Sequence, residues 1–192
     1  MAGIKNAGIT DIFNGQSDIV LFGEVTDYEK ATIATLADPT SLGQIVQDST
    51  EWTGDEPSVD NILDEQGDII TASVTAGTVG FSFEMADLSP ETIKLFFKGV
   101  EIEAATGAAW DSITKAIGFG HELPVMTRPI MVVNDEANKA ILIPKAKITS
   151  NLTLSDGLWR IAVTVTGETV DTKTLKTCVL ITGKTKYEDD EV

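Results

Sequence analysis

His121 is the only histidine and Cys178 the only cysteine in the 192 residues, and neither has a sequence neighbour with which to do chemistry. A catalytic imidazole needs a nucleophile or a second base, and a structural zinc site needs several Cys or His ligands. His121 is therefore read as structural or exposed, and Cys178, beside Val179 and Leu180, as a small buried thiol in a strand. Asp60, Asp64, Glu65 and Asp68 surround Gly67 with hard oxygen donors of the kind calcium takes. Their spacing lacks the Asp-x-Asp-x-Asp-Gly pattern of a formed calcium loop. With 30 acidic residues some carboxylate pair always exists, and nothing singles one out for glycoside hydrolysis. Gly-x-x-x-x-Gly-Lys and Gly-x-Ser-x-Gly are absent, and Gly77-x-x-Gly80 reads as hairpin punctuation rather than a phosphate cradle. No catalytic, cofactor or metal site is expected. Trp110 and Trp159 are read as core or interface residues, while Trp52, in a polar loop, is a contact anchor.

Charge is the most informative bulk property. The chain carries 30 acids against 14 bases, a formal net charge of -16, which excludes tight binding of a polyanion through neutralised phosphates. The acids are not evenly spread. From Ala31 to Ile93 there is no Lys or Arg, while residues 139–186 hold a surplus of cations that includes Lys145 and Lys147. Such halves repel in a two-fold contact and attract head to tail, the arrangement that generates rings or filaments. The bland reading of the same pattern is a solvated surface.

The elements that must carry these residues are mostly strands. The length suits one domain over 1–192, and the opening Met-Ala-Gly-Ile-Lys-Asn lacks the n-region and apolar h-region of a secretion signal. No apolar run reaches the ~20 residues of a spanning helix, so no membrane insertion is expected. Residues 17–26 read as a strand and 42–47 as a short extended piece. Residues 49–67 have loop chemistry, which makes 38–67 an extended, exposed excursion. Residues 68–76 and 79–86 read as a hairpin turning at Gly77-Thr78, with Phe81, Phe83 and Met85 on one face. Ser89-Pro90-Glu91 predicts a helix over 90–98, with Ile93, Phe96 and Phe97 on one side and Gly99 ending it. Residues 100–103 suggest a brief strand, and 104–120 are left open between helix and loop. Four β-like segments, 122–133, 139–149, 158–166 and 174–182, finish the chain before a charged tail over 184–192. The order predicts a mainly β fold, an antiparallel sandwich or barrel with one short flanking helix.

The stretch beginning Trp52-Thr-Gly-Asp-Glu-Pro-Ser-Val-Asp resembles tail tube (major tail) proteins of long-tailed bacteriophages. It continues through Asp64-Glu-Gln-Gly-Asp, Gly80-Phe-Ser-Phe-Glu-Met and Leu88-Ser-Pro-Glu-Thr-Ile-Lys-Leu-Phe-Phe. The match is in the order of parts, about fifty residues closely and most of the chain loosely. The resemblance implies a tail-tube-like β-sandwich whose copies close hexameric rings, stacked into the hollow tube through which DNA passes into the host. It implies a non-enzymatic virion protein, assembled in the host cytoplasm, with tape measure, tail terminator and baseplate proteins as further partners. A bore that must not trap DNA favours carboxylates over cations, and among strand acids Glu24 and Glu84 are the lumen candidates. The candidate inter-subunit contacts are Trp52, Asp55, Glu56, Asp60, Asp64, Glu65 and Asp68 of the acidic excursion, meeting Lys145 and Lys147 of a neighbour. The alternative is a secreted or surface β-sandwich binding or adhesin module, which calls for a secretion signal and an aromatic-lined face. Neither is evident. A carboxylate-based hydrolase has the least support.

Overall fold

The computed structural model describes residues 18–43, 45–63, 65–66, 69–75, 77–102, 116–120, 125–134 and 139–182. His121, Trp110, Asp64, Asp68 and the 184–192 tail lie outside them. The fold is mainly β, with antiparallel sheets and one α-helix, as the residue pattern predicts.

The main sheet is built from β1 (Asp18–Leu21), β2 (Thr40–Ser41), β3 (Glu51–Trp52), β6 (Gly80–Met85), β9 (Val125–Asn134), β10 (Lys139–Ser155), β11 (Leu158–Gly167) and β12 (Val179–Thr182). Its order is β2-β1-β9-β10-β11-β6-β3, with β12 pairing β10. One stretch of chain serves both ends of this order. Thr40 and Ser41 pair with β1, Leu42 N donates to Ile19 O, Ile45 bridges Met85, and Trp52 pairs with Phe81. The sheet thereby closes into a barrel, which removes most of the open edges an antiparallel sheet otherwise has to protect.

The alternation read in the sequence fills the interior. Ile19, Leu21, Phe81, Phe83, Met85, Ile130, Val132, Ile148, Ile161, Val163 and Val165 are all buried in one cluster. Helix α1 (Pro90–Phe97) packs on the same cluster through Ile93, Phe96 and Phe97. Each such side chain contributes roughly 1.5–3 kcal/mol relative to exposure. Ser89 caps the helix by accepting from Thr92 N, and Asp87 accepts from Ser89 N at 2.9 Å and from Thr92 Oγ1 at 2.7 Å. The helix does not end on Gly99 as expected. Lys98 takes the left-handed turn at φ 50, and Gly99 is needed for space, since a Cβ there would sit 2.7 Å from Ile117 Cγ2. Residues 104–120 resolve in part as β8 (Ala116–Gly118), antiparallel to β7 (Val100–Ile102) beside the helix.

A register shift between Ile143 and Ala146, at Pro144, kinks β10. Beyond it, Val20, Phe22, Val133, Ala140 and Leu142 form a second cluster, covered by Val179 and Ile181 of β12. β11 and β12 run in the same direction along one edge of β10, so they are one strand line interrupted at residues 168–178. The expected strand over 174–182 is accordingly cut short. Leu175 is buried elsewhere, with Ala31 and Val170, and Cys178 sits half-buried in a bend just before β12, neither in a strand nor in the core.

Two further expectations fail at the acidic excursion. Residues 58–63 are not loop but β4 (Ser58–Leu63), paired along its length with β5 (Ile69–Thr75). Consequently β5 and β6 are not a hairpin. Gly77-Thr78 does not turn; Thr78 N donates to Asp55 O, and a Cβ on Gly77 would lie 2.2 Å from Asp55 O, so glycine there allows two extended segments to touch. β4 is hard to read in the sequence because Asp60 and Asn61 are poor strand formers and Ser58 to Ile62 are all exposed, so no buried–exposed alternation marks the strand.

Candidate assembly surfaces

The β4–β5 ribbon leaves the barrel as a continuation of the β3–β6 ladder. Thr53 N donates to Gly80 O, and the Thr78 hydroxyl bridges to Asp55, with Asp55 N donating to Oγ1 at 3.0 Å. Past these contacts the ribbon forms its own two-stranded sheet and pairs with no barrel strand. Asp55, Glu56, Asp60 and Glu65 are all exposed or half-exposed along it, as are Val59 and Ile62, and no cation lies between residues 55 and 75. Trp52, about half-exposed, stands at the base of this arm. The acids and the anchor named from the sequence are therefore brought together on one projecting element, apart from Asp64 and Asp68, which lie outside the described residues.

The basic residues behave differently. Lys145 Nζ lies 3.0 Å from Glu168 and 5.6 Å from the centre of the Tyr28 ring. Arg160 Nη1 donates to Glu84 Oε2 at 2.8 Å, and Lys176 pairs with Asp171. Lys147 is exposed, with no ion pair to another described residue. Glu168 and Asp171 belong to the same 139–186 stretch and are already set against its cations, so of these pairs only Arg160–Glu84 draws an acid from outside and lowers the surplus, and Lys145 and Lys147 do not form one free basic patch. Pairing at a surface is worth little in stability.

Both lumen candidates carry a guanidinium beside them. Glu84 is partly buried on the outward row of β6, bonded to Arg160, while Glu24 is exposed with Arg128 Nη2 3.6 Å away. Around Glu84 a shallow open groove of about 440 Å³ is lined by Asp48, Ser49, Glu51, Ser82, Arg160 and Thr164, among others. A second, of about 490 Å³, lies beside Tyr28, Lys145 and Lys173. Burial, with Glu168 and Glu24 adding their charge, pushes the Tyr28 phenol above its ordinary value. Burial likewise pushes the Cys178 thiol up, which lowers its thiolate fraction and fits an unreactive cysteine. Among the described residues no group of three or more His, Cys, Asp or Glu is placed to hold a metal ion.

Sequence reasoning missed the other conspicuous surface, the turn joining β10 and β11. The turn residues Asp156 and Gly157 both have positive φ, 52 and 77, the two-residue geometry that matches strand twist. Leu154, Leu158 and Trp159 around it are exposed. The alternation of β11 correctly places Trp159 on the same row as Ile161, but the hairpin outruns the core, and only its length in three dimensions reveals that. Compared with models of known protein families and with curated proteins, the sequence matches none.

Proposed function

We propose that the chain is the repeating subunit of a hollow tube, the tail tube of a long-tailed phage, formed by rings of identical copies stacked on one another. The observation that carries this reading is the arm. A closed barrel satisfies its own edges, yet β4 and β5 form a ribbon that pairs with no other described strand and carries exposed Val59 and Ile62. An element of this kind becomes worthwhile when another copy covers it, and a contact between unlike surfaces of identical subunits propagates into rings or filaments.

Charge supports the passage of DNA through such an assembly. At net -16, with 30 acids against 14 cations, the subunit opposes counterion-release binding, so a polyanion slides without being held. Glu84 and Glu24 serve here as neutralising partners of Arg160 and Arg128 as much as sources of negative field. The tape measure, tail terminator and baseplate proteins are the further partners of this reading, and the virion is its location.

Negative-stain microscopy with sedimentation velocity on the purified chain tests it. Rings or tubes with a central passage are expected, together with no retardation of duplex DNA at moderate salt. A chain that stays monomeric at high concentration refutes the reading.

A further inference from the structure

The arm meets the barrel through two short stretches of chain, residues 53–57 on the way out and 77–79 on the way back. A glycine stands in each, and neither has a positive φ, so neither is there for backbone freedom. Each is there for space. A Cβ on Gly54 would lie 2.6 Å from Thr78 O, and one on Gly77 would lie 2.2 Å from Asp55 O and 2.9 Å from Pro57 N. These neighbours are backbone atoms, with no side-chain torsion by which to step aside. Hydrogen bonds cross the same gap: Thr53 N donates to Gly80 O at 2.9 Å, and Thr78 N to Asp55 O at 3.2 Å. The Thr78 hydroxyl accepts from Asp55 N and donates to Asp55 Oδ2, both at 3.0 Å. On the barrel side, Gly167 N donates to Val79 O at 2.6 Å, and the Val79 side chain packs on the main core.

We infer that this root is a clamp and not a glycine hinge: it holds the β4–β5 arm at one angle to the barrel in the free chain. The inference concerns a single copy and stands apart from the tube reading. A hinge needs backbone torsions that can turn without breaking contacts. Here the two stretches are pressed together, so swinging the arm must part Gly54 from Thr78 and Gly77 from Asp55 at once. Each backbone bond that is lost makes a swung state roughly two- to ten-fold rarer. Pro57, with φ fixed by its ring, removes a further torsion where the chain enters β4. Such a clamp presents the exposed Val59 and Ile62 in a set direction. It spares the ordering entropy that a loose arm loses on meeting a partner.

Paired spin labels in the full chain test it. In a Cys178→Ser background, the exposed positions Ile62→Cys on the arm and Thr164→Cys on the barrel are labelled. The labelled chain is diluted into unlabelled copies, so that only distances within one molecule are read. A single narrow distance distribution is expected. Gly77→Ala should broaden it and speed amide exchange at Thr53 and Thr78 roughly ten-fold, because the added methyl forces the two stretches apart. Thr78→Val keeps the shape and removes the hydroxyl, and it should loosen the Asp55 amide and broaden the distribution to a smaller degree. It carries the test by itself if Gly77→Ala does not fold. A broad distribution with the root intact overturns the clamp. So do root variants that leave the width and the exchange unchanged or reduced, since alanine in a hinge restricts φ and ψ and stiffens it.

Discussion

Ser150 is 3% exposed, and its hydroxyl donates to the carbonyl of Phe96 at 2.8 Å. That carbonyl belongs to the last turn of α1, where no further helical N–H can reach it, so the barrel wall supplies the donor. Replacing Ser150 by Ala removes the donor and leaves the acceptor buried, and the cost of such an unsatisfied group is about 1–3 kcal/mol, more than the net worth of an ordinary hydrogen bond. For a chain of this size each kcal/mol moves Tm by about 2–4 °C, so a fall of roughly 4–8 °C is expected for a central value of about 2 kcal/mol. Guanidinium unfolding followed by far-UV circular dichroism is the assay, with an unchanged slope showing that the loss is in stability rather than compactness. Amide exchange in residues 93–97 should speed up as well, because the hydroxyl ties the helix end to β10. If Ser150→Ala lies within about 0.3 kcal/mol of wild type, the argument that this bond anchors the helix is wrong.

Asp87 gives a pH prediction. The Thr92 hydroxyl, and then the N–H and hydroxyl of Ser89, hold its carboxyl below the usual carboxylate range against the opposing effect of burial. A depressed carboxylate stabilises the fold above the unfolded-chain value and loses that contribution as pH falls through the folded one. Asp87→Ala should therefore cost about 0.5–2 kcal/mol at neutral pH, and the gap from wild type should shrink in acid, measured as urea midpoints across pH. Gly157 has φ 77, and Gly157→Val should cost about 1–2 kcal/mol, read by calorimetry, because a branched side chain resists the left-handed region. Cys178 should react with iodoacetamide at neutral pH more slowly than a free thiol of ordinary pKa, and the rate should rise to that of the unfolded chain in denaturant.

Local chemistry made much of this fold readable in one dimension. Ile161, Val163 and Val165 alternate with polar neighbours and are buried, and Ser89-Pro90 begins the helix where a cap and a fixed φ are both present. Net charge and the lack of a second histidine or cysteine are properties of the chain as written, so the missing catalytic motifs needed no coordinates. Tertiary structure decided what depends on distance across the fold. Arg160 counted toward a basic surplus until Glu84, an acid from another strand outside that stretch, was found beside it, while the partners of Lys145 and Lys176, Glu168 and Asp171, lie near them in the chain or across a turn. Ser58–Leu63 gained its strand from β5 alone, and Leu154 and Trp159 are exposed because β10 and β11 outrun the core. The physical reason is common to all three: propensity and periodicity act over a few residues, whereas ion pairing, strand partnership and burial are settled by which distant segments the closed barrel brings together.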